Sequence, residues 1–239
     1  LAFTGSALPK LSTLPLMNDN SMNPFDLART IDHTILKPDA PYAAIDILCA
    51  EALQMHFASV CVLPWFVERC AETLAGSDVA VCTVVGFPLG GTTTTAKVAE
   101  TTDVIKRGAT EVDMVINLAA LKSEQYGTVL DDIRAVTDVA HAHSALVKVI
   151  IETCLLTDDE KRRCASMVTQ AGADFIKTST GFSTGGATIA DVELLRHHVG
   201  PHVRVKASGG VRDRQTALNM IQAGAQRIGT SSGVVIVSK

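Results

Sequence analysis

The chain has 239 residues, of which 47% are hydrophobic, 19% charged and 4% aromatic, and it carries a formal net charge of -4. One domain with ample core material is expected, since α/β barrels commonly reach this size without splitting. The slight acidity gives no global attraction to nucleic acid, so an anionic ligand has to be met by locally placed cations. No uncharged apolar run reaches the roughly 18 residues of a membrane span.

Residues 1–23 lack a basic stretch followed by a sustained apolar one, and their prolines break any periodicity. They are expected to be a flexible or vector-derived extension, an arm packing on a neighbouring subunit being the alternative. Residues 24–239 are expected to form one catalytic domain. Eight β-branched runs follow in order: 28–33, 57–63, 79–87, 111–117, 146–152, 174–180, 203–208 and 226–230. Segments of helical spacing lie between them, at 41–55, 65–75, 93–107, 126–142, 158–171, 188–199 and 213–223. Near-continuous apolar strands alternating with helices indicate a parallel sheet covered on its outer face. Eight such units, with no GxGxxG after the first strand, favour a single (β/α)8 TIM barrel over a doubly wound sheet. Only GVVIVSK follows the last strand, so the eighth helix is very short or the chain is truncated. A weak repeat agrees with this reading: IKRGATEVDMVIN, VTQAGADFIKTST and MIQAGAQRIGTSS each place a Gly-Ala pair between a helix end and a strand.

The six cysteines, at 49, 61, 70, 82, 154 and 164, lie mostly in apolar segments without CxxC spacing. Reduced, buried thiols in a cytoplasmic protein are the expectation, and no metal site is proposed.

Polar residues that interrupt the strands carry the functional signal. Side chains alternate across a strand, so Asp113, Lys148, Lys177 and Lys206 fall on one face of strands four, five, six and seven if those faces point inward. Alternatively each lysine points outward and its ammonium snorkels to water. Inward, three ammonium groups and a carboxylate suit imine chemistry. A lysine beside another cation is activated as a free-amine nucleophile, while the carboxylate relays protons. Glycine-bearing strand ends, at Ser179–Gly181, Ser208–Gly210 and 229–233, sit where barrels often bind phosphate through backbone N–H groups and hydroxyls. A small phosphorylated carbonyl compound fits such a site. Metal binding by the histidines is not favoured: His141 and His143 splay apart on their helix, and His197, His198 and His202 cluster at a helix end, which leaves His33 as the one beside the site.

Five motifs in order, IDHTILKP, EVDMVINL, DFIKTSTGF, VKASGGVR and IGTSSG, resemble deoxyribose-phosphate aldolase, a class I aldolase family on the (β/α)8 fold. The resemblance runs from about Ile31 to Gly233. It implies reversible cleavage of 2-deoxy-D-ribose 5-phosphate to D-glyceraldehyde 3-phosphate and acetaldehyde, with no cofactor. By this similarity Lys177 forms the imine, Lys206 is the neighbouring cation that activates it, and Asp113 is the acid/base working through water. Lys148 would hold Asp113 and Lys206 in register. Gly181, Gly209, Gly210, Ser231 and Ser232 would meet the phosphate. Asp32 would hydrogen-bond within the site or cap the next turn, and Cys61 would line the pocket or fill the core. Family members with a C-terminal tyrosine that reaches the site differ from this chain, whose tyrosines are at 42 and 126.

The implied partner is a small phosphorylated sugar or aldehyde, with neither nucleic acid nor membrane. A homodimer is compatible with the sequence, which does not fix the oligomeric state. Another imine-forming barrel enzyme, a metal-dependent aldolase and a non-catalytic sugar-phosphate-binding barrel are the rival readings.

Overall fold

The computed structural model describes residues 22–238, so the expectation for the N-terminal extension lies, for residues 1–21, outside the described residues. Eight parallel strands close into a barrel in sequence order. They are β1 (Ile31–Ile35), β2 (Ser59–Val62), β3 (Ala80–Val85), β4 (Glu111–Val115), β5 (Leu146–Ile150), β6 (Phe175–Lys177), β7 (Arg204–Ser208) and β8 (Arg227–Thr230). Each expected strand is present; β2 to β8 lie within the expected runs, and β1 is shifted toward the C-terminus, to end at Ile35 instead of 33.

The first strand differs most from expectation. Residues 24–28 form a helix, α1 (Pro24–Ala28), and β1 begins only at Ile31. Asn23 caps α1 by accepting from the Asp26 N–H at 2.9 Å, and Pro24 presets its first turn. Leu27 and Ala28 are thus buried by a helix rather than by a strand.

The remaining helices are α2 (Tyr42–Met55), α3 (Val67–Thr73), α4 (Thr94–Lys106), α5 (Leu118–Lys122), α6 (Tyr126–His141), α7 (Asp158–Ala171), α8 (Ile189–His198), α9 (Arg214–Gln222) and α10 (Gly233–Val237). Their starts are written in polar caps: Thr93, Asn117, Thr188 and Asp213 each accept from a backbone N–H, and Thr157 with Glu160 makes a reciprocal capping box. The expected very short final helix is α10. The glycines of the repeat, Gly108, Gly172 and Gly224, have φ of 108°, 77° and 112°, and the alanines after them are buried.

Alternation sorts the strand residues into two environments. Val112, Met114, Val147, Val149, Ile176, Val205 and Ala207 face the helices and form the main apolar core. Cys61, Cys82 and Val84 make a small apolar cluster of their own with Leu36. The intervening residues of β4 to β8 put charge inside the barrel. Register fixes their order, with Asp113 opposite Lys148 on β4–β5 and Lys177 opposite Lys206 on β6–β7.

Candidate active site

The interior is a connected set of ion pairs. Asp113 Oδ2 accepts from Lys177 Nζ at 2.8 Å and from Lys206 Nζ at 2.7 Å, while its Oδ1 accepts from Lys148 Nζ at 2.8 Å. All three lysines therefore converge on one carboxylate. Lys206 Nζ also stands 2.5 Å from Asp32 Oδ2, though not in hydrogen-bonding direction. Ser59 and Arg227 donate to the other Asp32 oxygen at 2.7 and 2.6 Å. Asp32 is thus an interior residue of β1 and caps no turn.

Below this layer lie residues that motif reading passed over. Glu111 Oε2 is 2.6 Å from Lys148 Nζ, and both Glu111 oxygens take 3.1 Å hydrogen bonds from the Arg227 guanidinium. Phe175 closes the floor, with Arg204 Cζ 3.9 Å and Arg227 Cζ 5.5 Å from its ring centroid. Burial alone would neutralise these groups, but partners overcome it. Desolvation pushes the Asp113 carboxyl up, yet Lys148, Lys177 and Lys206 hold it well below the usual range. Burial works against the charge on Lys206, and Asp113 with Asp32 outweighs it, raising that ammonium well above the usual lysine value. Lys148 is raised in the same way, by Asp113, Cys82 and Glu111 against its own burial.

Above the ion pairs opens a cavity of about 770 Å³, walled by the C-terminal ends of β1, β6, β7 and β8. Lys177 is the one member of the lysine cluster on its wall, at 3% exposure, whereas Lys148, Lys206 and Asp113 are at 0%. Two exposed cations, Lys37 and Arg212, also line the cavity, together with the exposed carboxylate of Asp39. The glycine-bearing ends are tied together. Ser208 Oγ donates to Ser179 O at 2.6 Å, Ser208 N donates to Thr178 Oγ1 at 3.1 Å, and Ala187 N reaches Gly209 O at 3.0 Å. Gly209 and Gly210 have φ of 85° and 83°, a region that favours glycine. A Cβ on Gly186 would stand 2.2 Å from Gly209 O, so that approach also requires glycine.

A match to the model of the DeoC/LacD family aldolases covers residues 21–239. The chain belongs to this aldolase family. It is 60% identical over 213 residues to the deoxyribose-phosphate aldolase of Brevibacillus brevis, covering 89% of this chain and 96% of the relative. To that of Geobacillus sp. it is 61% identical over 212 residues, covering 89% and 95%. Among solved structures, the tetrameric deoxyribose phosphate aldolase of Aeropyrum pernix superposes with a TM-score of 0.85 at 34% identity, over 90% of this chain and 91% of that one.

The aldolase cavity takes up some of the residues singled out from the sequence and leaves others aside. Gly181, Gly209, Gly210 and Ser231 border it; Ser232 does not, and its N–H is already spent on Thr230 Oγ1 at 2.9 Å. Cys61 is also absent from the wall. It is sealed inside the barrel against Cys82 and Val84, beneath Leu36. Lys148 grips Asp113 and Glu111 and comes within 3.8 Å of Asp32, so it braces the carboxylates rather than Lys206. His33 points away from the lumen, with Nε2 2.7 Å from Glu51 Oε2 of α2 and its ring against Phe57. Cys154 is exposed, unlike the other five cysteines. Among the described residues, Cys61, Cys82 and Asp113 are the one grouping with metal-ligand spacing. It suits a metal poorly, because Asp113 is already paired with three ammonium groups that would repel a further cation.

Glu111 was findable, being two residues before Asp113 and hence on the same face. Glu152 was harder. It sits at φ 55° just after β5, where its carboxylate accepts from the Thr180 backbone N–H at 3.2 Å and from the Thr180 hydroxyl, and so holds the turn that carries Gly181.

Proposed function

We propose that this aldolase cleaves 2-deoxy-D-ribose 5-phosphate reversibly to D-glyceraldehyde 3-phosphate and acetaldehyde, through an imine on Lys177. The observation that carries this reading is that Lys177 alone joins the buried ion-pair cluster to the cavity. A nucleophile has to be reachable from the substrate and activated from behind, and no other lysine of the cluster meets both conditions.

The Lys177 amine adds to C1 of the open-chain sugar, the carbonyl oxygen takes a proton, and loss of water gives the iminium. Asp113, by way of water, accepts the proton of the C3 hydroxyl. The C2–C3 bond then breaks, its electron pair passes to C2 with the iminium nitrogen as sink, and the C3 oxygen becomes the carbonyl of the departing three-carbon phosphate. Protonation of the enamine at C2 and hydrolysis release acetaldehyde and return the amine. Lys206, kept charged by Asp32 and Asp113, supplies the adjacent cation and takes part in proton transfer. The phosphate lies against Gly181, Gly209, Gly210 and Ser231, with Lys37 and Arg212 supplying the positive charge that the net acidity of the chain denies it elsewhere. The chemistry needs neither metal nor organic cofactor.

Assembly of identical subunits, in the simplest case a homodimer, fits the exposed side chains of Tyr42, Ile47 and Trp65. None of the described helices is long and apolar enough to cross a membrane, which fits a cytoplasmic enzyme of deoxyribose phosphate breakdown.

The direct test supplies the purified protein with 2-deoxy-D-ribose 5-phosphate or with 2-deoxy-D-ribose and measures acetaldehyde released. The expected result is release from the phosphorylated sugar at a much lower KM than from the free sugar. No release from either would overturn the assignment, and equal KM values would remove the phosphate seat.

A further inference from the structure

The buried charges of the barrel interior do not balance in the way a purely structural network would. Three carboxylates, Asp32, Glu111 and Asp113, face four cations, Lys148, Lys177, Lys206 and Arg227. Arg227 has two carboxylates, through its fork to Glu111 and its 2.6 Å bond to Asp32. Lys148 has Glu111 and Asp113, and Lys206 has Asp32 and Asp113. Among the described residues Lys177 pairs with Asp113 alone, and it shares the same Oδ2 with Lys206.

We propose that Glu111 and Arg227 are positioning residues that set the charge of the barrel interior, leaving one positive charge in excess at Lys177, the cluster lysine on the cavity wall. The proposal deepens the imine reading above and rests on it. Neither residue touches the cavity. They act through Lys148 and Asp32, which in turn hold Asp113 and Lys206. Because these groups are buried, adding or removing one charge there is felt by every member, whereas the same change on an exposed surface would be screened.

The groups that face Lys177 from each packed element define how the set responds. Asp113 of β4 contacts it directly, Lys206 of β7 and Lys148 of β5 share that carboxylate, and Asp32 of β1, Glu111 of β4 and Arg227 of β8 lie one contact further on. The thiols of Cys61 and Cys82 close the β2–β3 side, Cys82 donating to Asp113 Oδ1 at 3.2 Å. Arg204 lies beyond the Phe175 ring. If Glu111 and Arg227 set the balance, the two halves of one ion pair have opposite effects. Losing a negative charge makes the remaining ammonium groups shed protons more readily, and losing a positive charge makes them hold protons more tightly.

The test reads the pH at which acetaldehyde-dependent imine formation, trapped by borohydride, reaches half its maximum. Glu111→Gln is expected to lower that midpoint by about one pH unit and Arg227→Gln to raise it by about one. The double variant, which removes one charge of each sign, is expected to return close to the wild-type midpoint. Glu111→Asp and Arg227→Lys keep the charges and are expected to leave the midpoint in place even where they lower the melting temperature. Midpoints that move in the same direction in both neutral variants, or that stay fixed while stability falls, would overturn the proposal and reduce the pair to a structural brace. Failure of the wild-type protein to trap an imine at all would instead sink the reading on which the proposal rests.

Discussion

Replacing Lys206 by leucine tests the coupling between the two lysines that meet on Asp113. The change removes an ammonium 2.5 Å from Asp32 Oδ2 and 2.7 Å from Asp113 Oδ2, and leaves both carboxylates in a fully buried setting. Breaking a buried pair by deleting one partner costs about 3–5 kcal/mol. That is a large part of the ~5–15 kcal/mol that holds a domain together, so a lower denaturation midpoint is the first expected outcome. The chemical effect is separable from it. With Lys206 gone, Lys177 at 2.8 Å is the one remaining cation on Asp113 Oδ2, which two ammonium groups no longer share. At neutral pH the rate of trapped-imine formation is expected to fall by about 10-fold or more and to recover as the pH is raised. The assay is the rate of borohydride-trapped imine formation with acetaldehyde, followed from neutral to alkaline pH at a temperature where the variant keeps its native circular dichroism. A loss of equal size at every pH, or no loss, would refute the reasoning.

Asp113→Asn keeps the shape of the side chain and removes the proton relay, so kcat for sugar cleavage is expected to fall by about 10²–10⁴ with little change in KM; steady-state kinetics decide it, and an unchanged kcat would free Asp113 of the role. Gly209→Ala places a Cβ 2.9 Å from the Gly186 backbone at a φ of 85°. The strain of ~1–3 kcal/mol should raise KM for the phosphorylated substrate several-fold more than for its unphosphorylated counterpart, and an unmoved ratio would place the phosphate elsewhere. The pH dependence of stability follows from the interior charges. Asp113 and Asp32 lie below the ordinary 3.8, so their contribution is present above that value and is lost as pH falls through their lowered folded values. Lys148 and Lys206 lie above the ordinary 10.5, so theirs is present below that value and is lost as pH rises through their raised folded values. Denaturant midpoints should therefore vary little between these limits on account of this network; a sharp loss near neutrality that Asp113→Asn abolishes would contradict the ion pairs.

Much of the barrel was readable because its signals are local. Eight β-branched runs, the caps at Thr93, Thr157, Thr188 and Asp213, and the glycines after three helices each specify an element without help from distant parts of the chain. Alternation placed Asp113, Lys148, Lys177 and Lys206 on one face, and closure of the sheet then put those faces inside. The same rule reaches Glu111, whose position as the first residue of its strand hid its role. Arg227 is the first residue of β8, where the face depends on a boundary that sequence leaves loose. The start of β1 was misread because ARTIDH looks like a strand, although the Asn23-Pro24 cap signal was available. Lys97 and Asp132, paired at 2.5 Å between α4 and α6, were out of reach, since two helices far apart in sequence meet there only in the folded chain. Sequence alone also left several lysines eligible as the nucleophile until the family motif chose one; burial gives a separate reason, because of the three strand lysines Lys177 alone reaches the cavity wall.

Incubation of the protein with acetaldehyde and borohydride, followed by peptide mass mapping, tests the central claim most directly. The account predicts a single reduced two-carbon adduct on Lys177, absent when borohydride is added without acetaldehyde. An adduct on Lys148 or Lys206 in place of Lys177, or no adduct under conditions where the protein cleaves the sugar phosphate, would contradict it.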